Sequence, residues 1–495
     1  MIFSRRDFVA LFAGALLPLS FAPIHIFPLA IISLSLLFWV WLDASPKQTV
    51  IRGYLFGISY FGIGVSWIAI SMYRFGGMSM PLASTLTVIF ILIWATIPAA
   101  VGYFSLRFFP TATKKIRLMV ILPAMWLLFE WTRGWLFTGF PWVAVGYSQV
   151  DSPLIGIAPI LGVYGVSFAV SLTASSIVCA IAFPKSASKY LGFSVGLWLI
   201  AFVLSFVEWS DPIGTELKAS LIQGNVHQSV KWNPEQRQPT IDLYTKLTQE
   251  NWASDVIIWP ETALPAYYHQ AESFLQWLGE TARKNNSDIL IGMPVVDQAD
   301  PSKYYNSVVT VGQDSGIFRK KHLVPFGEFL PLKSIFGNLL AFFNIPMANF
   351  SEGDADQALL RMAGHDIGVS ICYEDVFGEE VIESLPNAKF LINVSNDAWF
   401  GDSLSPHQHL QMAQMRSIET ARPMLRATNN GVSAIINHKG KLLDVSPQFE
   451  THVLSAEFQP MQGTTPYVLV GNWLIIPFVV LLLFVVYVLN HRNKK

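Results

Sequence analysis

A chain of 495 residues has the length of about three soluble domains, but 52% of it is hydrophobic and only 14% charged, against a usual charged share of about 25%. With 36 Phe and 16 Trp, it carries more apolar surface than a water-soluble protein can hide, so a wholly soluble chain is excluded. A net charge of −1 and the lack of any long basic run leave no electrostatic footprint for nucleic acid.

The excess is uneven. Residues 1–210 carry 12 Lys/Arg and 5 Asp/Glu, and residues 211–495 carry the other 21 and 29. A membrane helix needs about 20 mostly apolar residues. Seven segments before residue 210 qualify: 7–22, 24–42, 52–71, 82–106, 116–132, 154–182 and 190–208; an eighth covers 468–490. Basic residues gather at every second junction: Arg5 and Arg6; Lys47 and Arg52; Arg107, Lys114, Lys115 and Arg117; Lys185 and Lys189; Arg492, Lys494 and Lys495. The alternate loops hold only Arg74 and Arg133. Lys and Arg stay on the cytoplasmic side, so both termini are expected there, and the excursion between the seventh and eighth segments on the opposite face. Ser4-Arg5-Arg6-Asp7-Phe8 is similar to a twin-arginine export signal. A second apolar run begins at Ile24, which favours an uncleaved first helix. The expected domains are a seven-helix membrane domain (1–210), a globular domain (211–465) and a final helix with a basic tail (466–495).

In the excursion, 217–223 reads as a strand, 239–252 as a helix, 256–259 as a strand, 272–284 as a helix and 289–292 as a strand. Residues 307–312 and 316–320 read as a hairpin, 367–371 as a strand, 379–385 as a helix, 390–394 as a strand and 408–420 as a helix. Three more strands follow at 425–427, 432–436 and 442–445. Strands and helices mixed without a linker predict one α/β or α+β domain.

There are two cysteines, Cys179 in the sixth span and Cys372 in the excursion, and they are not placed to pair. Cys372 is either a buried small hydrophobe or a nucleophile. Gly368-Val369-Ser370-Ile371-Cys372-Tyr373-Glu374-Asp375 is an apolar strand that breaks into polar residues before a helix, where backbone N–H groups and a helix dipole are expected to favour the thiolate. A thiol nucleophile needs a base and a partner for the developing oxyanion. Val256-Ile257-Ile258-Trp259-Pro260-Glu261 puts a carboxylate just past an apolar strand, and Phe318-Arg319-Lys320-Lys321-His322-Leu323-Val324-Pro325-Phe326-Gly327-Glu328 puts a lysine at a strand end with a second carboxylate behind it. Singly each reads as a loop charge; together, at converging strand ends, they read as a site.

At these residues the chain resembles the nitrilase superfamily, whose signature is Glu, Lys and Cys in that order. Trp259-Pro260-Glu261, His322-Leu323-Val324-Pro325-Phe326-Gly327-Glu328, Ile371-Cys372-Tyr373-Glu374 and Ser395-Asn396-Asp397-Ala398-Trp399-Phe400-Gly401 are similar to the bacterial apolipoprotein N-acyltransferase family, and so is the eight-span arrangement. The resemblance implies a polytopic bundle of eight transmembrane helices in the bacterial inner membrane, with a periplasmic nitrilase-type domain, an αββα sandwich. It implies acyl transfer from a membrane phospholipid, through a thioester, to the N-terminal α-amine of the diacylglyceryl-cysteine of an apolipoprotein, the last step of lipoprotein maturation. Glu261 would be the general base, Lys320 the oxyanion partner and Cys372 the nucleophile. Glu328, Glu374, Tyr373 and Asn306 would support them, and Trp232, Phe342, Phe343 and Trp399 would contact substrate. Neither cofactor nor metal is implied.

Residues 335–347, between Lys320 and Cys372, are charge-free and aromatic; such a run is either core helix or a loop that meets the bilayer and admits acyl chains. His407 and His409 lack companions at metal-ligand spacing and read as ordinary polar helix residues. Glu130 and Arg133, ionisable residues near membrane depth, are functional candidates or interfacial groups. A membrane-tethered amidase or hydrolase would use the same triad with water as acceptor. A transporter is disfavoured, because no internal repeat appears and the spans hold few charges.

Overall fold

The computed structural model describes residues 4–74, 76–329 and 349–492. The chain divides into two compact units, one of Met1–Ala69, Ser84–Glu208 and Leu469–Lys495, the other of Ile70–Ala83 and Trp209–Val468.

The first unit is helical, and all eight apolar segments hold helix. Among the described residues, three helices are long and apolar enough to cross a membrane: Met80–Arg107, Pro153–Ala182 and Pro184–Leu204. The number is up to five if each bent pair is one span: Pro46–Gly64 with Ile68–Arg74 (51°), and Pro466–Trp473 with Ile475–Asn490 (42°). The other segments fall short because their helices are short or interrupted. Arg5–Leu16 gives way to a 3₁₀ turn at Leu17–Ser20, Pro28–Trp41 has 14 residues, and a π turn at Arg117–Ile121 precedes Leu122–Arg133. Ser45 starts helix Pro46–Gly64: its hydroxyl accepts from the N–H of Gln48, whose side chain accepts in return from the N–H of Ser45. The same helix packs closely on Thr96–Arg107, because a Cβ at Gly53 would lie 2.6 Å from the carbonyl oxygen of Pro98. Glu130 and Arg133 are buried. Glu130 accepts from the N–H of Val145 (2.9 Å), and Arg133 donates to the carbonyls of Phe140 (2.7 Å) and Trp142. They tie the loop after their own helix back onto it, a structural use for both.

The second unit holds two six-stranded sheets. With β1 (Ser210–Pro212) set aside, the first has the order β13-β2-β3-β4-β5-β6: β2 (Leu217–Gln223), β3 (Val256–Ile258), β4 (Asp288–Val296), β5 (Tyr304–Val311), β6 (Gly316–Arg319) and β13 (His452–Phe458). The second has the order β12-β11-β10-β9-β8-β7: β7 (Leu360–Met362), β8 (His365–Ile371), β9 (Phe390–Ser395), β10 (Met424–Thr428), β11 (Ala434–Ile436) and β12 (Leu442–Val445). β1 pairs apart with β14 (Met461–Gly463). Leu221, Ile258, Leu290 and Val308 of the first sheet share one core with Ile371, Ile392, Leu425 and Ile435 of the second, so the sheets lie face to face. The outer face of the first packs on helices Pro234–Gln249 and Tyr268–Lys284, and that of the second on helix Leu404–Thr420. The result is the expected four-layer αββα sandwich.

β2, β3 and β4 run parallel, as do β8, β9 and β10. β6 is antiparallel to β5, itself antiparallel to β4, so β6 ends at the same edge as β3. The first helix starts at Pro234 rather than at 239, with Pro239 inside it. Strands β7 and β13 were not expected; β7 has only three residues, and His452-Val453-Leu454-Ser455-Ala456-Glu457-Phe458 mixes polar and apolar positions too irregularly to stand out.

Candidate active site

Glu261 follows β3 and is buried. Its approach depends on Gly292 of β4, where a Cβ would sit 2.2 Å from the Pro260 carbonyl oxygen and 2.8 Å from the Glu261 Cα. Trp259 anchors the same turn: fully buried, it donates from Nε1 to the Thr248 hydroxyl at 2.9 Å. Lys320 follows β6, with its N–H on the Asn306 carbonyl at 2.8 Å. Cys372 follows β8 with a φ of +54°, in the left-handed region that a non-glycine residue adopts only when its surroundings hold it there.

The carboxylates enclose the lysine. Lys320 Nζ lies 2.7 Å from Glu328 Oε2 and 3.9 Å from Glu261 Oε1. Asn306 Nδ2 donates to both carboxylates, at 2.7 Å to Glu261 and 2.8 Å to Glu328. Glu328 also accepts from the N–H of Val324 at 2.8 Å. Glu374 braces two strand ends at once: it accepts from the N–H of Lys321 (2.6 Å) and of His322 (3.1 Å) after β6, and from that of Ile371 (2.7 Å) at the end of β8. Tyr373 packs edge-on against Phe377, 5.1 Å between ring centres, and near His322, 5.8 Å away.

The electrostatics follow from burial. Burial raises the Glu261 carboxyl above its ordinary value; Glu328 adds to this, while Lys320, Asn306 and Lys231 oppose it. Burial works against the charge on Lys320, but Glu328 and Glu261 outweigh it and hold the ammonium above its usual range. Burial lifts Glu374 to about 7. The Cys372 thiol is pushed well above its usual value by burial and by the charge on Glu261, with Lys320 pulling the other way. This corrects the expectation of a dipole-favoured thiolate. The turn after Cys372 is a five-residue 3₁₀ segment followed by the four-residue helix Gly378–Val381, too short for a macrodipole that outweighs burial. Burial thus favours the thiol form of Cys372, beside a carboxylate that burial also raises and a cation held between two carboxylates. That arrangement suits proton removal by the carboxylate as the sulfur attacks.

Of the remaining expected residues, Trp232 is 39% exposed in the turn before helix Pro234–Gln249, and Trp399 is half-buried in the turn Asp397–Phe400 after β9. Phe342 and Phe343 lie outside the described residues, as does the whole run 335–347. Cys179 and Cys372 are both free thiols.

Two groups escaped the sequence reading. Lys231 is buried beside Glu261; its Nζ donates to the Thr262 hydroxyl (2.9 Å) and the Glu261 carbonyl (3.3 Å), and burial brings it down to about 8. The other is a buried charge cluster behind Cys372. His409 bridges Asp375 (2.7 Å) and Asp397 (3.3 Å), and Arg426 contacts Asp375 (3.3 Å), Asp397 (3.1 Å) and Asn393. His409 is thus no ordinary polar helix residue. The available signal was Arg426, a lone charge inside the apolar strand β10.

Residues 13–176 match the family model described as the apolipoprotein N-acyltransferase N-terminal domain, and residues 218–467 match that of carbon-nitrogen hydrolases. An apolipoprotein N-acyltransferase of Methylococcus capsulatus is 45% identical over 94% of this chain and 92% of its own length. One from Nitrosomonas europaea is 43% identical over 94% of this chain and 93% of its own. A solved carbon-nitrogen hydrolase from Helicobacter pylori G27 overlaps at 14% identity with a TM-score of 0.38, covering 49% of this chain and 89% of that one.

Proposed function

The chain belongs to the apolipoprotein N-acyltransferase family, and from that premise we propose that it moves a fatty acyl chain from a membrane phospholipid to the N-terminal α-amine of a diacylglyceryl-cysteine lipoprotein. The observation that carries the chemistry is the meeting of Cys372, Glu261 and Lys320 at the strand ends of two facing sheets. Glu261 takes the thiol proton as Cys372 Sγ attacks the ester carbonyl carbon. Lys320 balances the negative charge that develops on the carbonyl oxygen. The carbon–oxygen bond then breaks, the lysophospholipid oxygen takes the proton back from Glu261, and a thioester remains. The acceptor amine attacks that thioester, gives up a proton to Glu261, and the thiol is restored. Glu328 and Asn306 hold Lys320 and Glu261 at their separation, and Glu374 and Tyr373 hold the Cys372 turn.

The eight apolar segments are eight spans in this proposal. Both termini are cytoplasmic and the domain 211–465 lies on the periplasmic face, a reading supported by the basic residues at alternate junctions. Trp232 and Trp399, with Phe342 and Phe343 of the run 335–347, are the proposed contacts to acyl chains. Phe342→Glu with Phe343→Glu should slow acylation by bilayer phospholipid and leave a soluble thiol reagent able to label Cys372; loss of both reactions would place these residues in the fold instead.

The identity of the acceptor is tested by mixing the protein in lipid vesicles with a diacylglyceryl-cysteine peptide. One acyl chain should appear on its α-amine, with one lysophospholipid per transfer and no transfer to the N-acetylated peptide. Release of free fatty acid with the peptide unmodified would point to a hydrolase.

A further inference from the structure

Ser395 ends β9, fully buried; the parallel ladder closes with the pair Ile371–Val394, and Cys372 and Ser395 are the next residues along the two chains. Two interactions tie these strand ends together. Asn393 Nδ2 donates to the Cys372 carbonyl at 3.2 Å, and the nearby Ser395 hydroxyl draws the Cys372 thiol down against burial. The same hydroxyl lies 3.0 Å from Asp397 Oδ1, to which it donates. A serine hydroxyl has one proton, so it serves either the carboxylate or the sulfur. Asp397 can release it, because His409 Nδ1 and Arg426 Nη2 lie 3.3 and 3.1 Å from its two oxygens, and all three side chains are buried. Each ring nitrogen of His409 faces a carboxylate, Nε2 on Asp375 at 2.7 Å and Nδ1 on Asp397 at 3.3 Å. Burial and Arg426 work to lower its pKa, but the two carboxylates outweigh them and raise it, which favours the imidazolium that donates to both. Arg426 donates to Asp375 as well.

We propose that Ser395 is a further catalytic residue: while Cys372 is a thiol its O–H points to Asp397, and when Glu261 takes the thiol proton the O–H turns to the sulfur anion. No covalent bond to Ser395 forms or breaks; the S–H proton passes to Glu261 and one hydrogen bond changes acceptor. Asp397, His409 and Arg426 are positioning residues that make the turn possible, since the carboxylate keeps two donors when the third leaves. A hydrogen bond to a thiolate is charge-assisted and stronger than one to a thiol, so the exchange favours the reactive state.

This inference rests on Cys372 being the nucleophile. The charged groups facing the thiol are Glu261 after β3, Lys320 after β6 and Asp397 after β9. The test uses the full chain in detergent and follows alkylation of Cys372 by iodoacetamide, mapped by peptide mass, as a function of pH. Ser395→Ala should slow alkylation about tenfold on the alkaline-rising limb and move that limb to higher pH. It should slow acyl-enzyme formation by a similar factor at an unchanged melting temperature. Ser395→Thr, which keeps a hydroxyl, should restore most of both rates. If Ser395→Ala melts early, Ser395→Cys fills the site with a weaker donor and should still show the shifted limb. An unchanged alkylation profile in the folded variant, or Ser395→Thr as slow as Ser395→Ala, overturns the proposal. In that event Cys372→Ala remaining inactive leaves the nucleophile assignment standing, whereas Cys372→Ala with full acyl transfer removes the assignment itself.

Discussion

In the proposed mechanism Glu261 and Lys320 do opposite work with opposite charges, and substitution can separate them. Glu261→Gln keeps the shape and the bond from Asn306 but removes the base, and acyl-enzyme formation should fall about 10²- to 10⁴-fold. Lys320→Met keeps the stem and removes the oxyanion partner, for a loss of about 10²- to 10³-fold. Rapid quench with phospholipid and no acceptor measures both; a normal acylation rate in either variant would reassign that residue. Asp397 supplies a test by pH. Burial pushes its carboxyl up, but Arg426 and His409 outweigh burial and hold it at about 2, below its ordinary 3.8. A lowered folded-state value means that the stabilisation is present above 3.8 and is lost as pH falls through about 2. Thermal melts of the wild type should weaken across that window. Asp397→Asn should start less stable at neutral pH, by about 3–5 kcal/mol for a broken buried pair, and lose little more on acidification. An equal acid loss in both proteins would exclude Asp397 as the group responsible. At this scale the proposed triad stood out in the sequence because each member follows a strand. Lys231, Ser395 and His409 were not, because their meaning lies in partners distant along the chain, such as Asp375 for His409, that sequence spacing does not reveal.

At the scale of the element, the candidate active site depends on close contact between strand ends. Gly292 lets the turn carrying Glu261 rest on β4, with only 2.2 Å between its ideal Cβ position and the Pro260 carbonyl oxygen. Gly292→Ala should shift that turn outward. Opening that contact to van der Waals distance displaces the base by about 1 Å, which should lower the acylation rate about 100-fold, with a stability loss of about 1–3 kcal/mol. Burst kinetics and a thermal melt measure the two effects; a full burst would show that the turn relaxes without moving Glu261. Strands rich in β-branched and apolar residues, such as Val256–Ile258 and Phe390–Ser395, stand out in the sequence because both faces are buried. The three-residue β7 and the mixed-polarity β13 carry no such signal, and their pairing is decided by tertiary contacts.

For the whole molecule, the basic residues at alternate junctions between apolar segments carry the proposed orientation. An impermeant thiol reagent applied to intact spheroplasts should label Asp444→Cys, an exposed position on β12, and should not label Lys114→Cys, both in a Cys372→Ala background. The reverse pattern would invert the proposed topology. The number of spans was less legible than the charge pattern. Apolar composition identifies segments such as 7–22 and 116–132, but it does not show that their helices are cut by a 3₁₀ turn and a π turn.

The central claim is a thioester on Cys372, and intact-protein mass spectrometry after mixing with phospholipid alone tests it most directly. The account predicts a mass increase of one acyl chain, mapped to Cys372, removed by hydroxylamine and absent from Cys372→Ala, which transfers no acyl chain to acceptor. An unmodified Cys372 under these conditions, or undiminished transfer by Cys372→Ala, would contradict it.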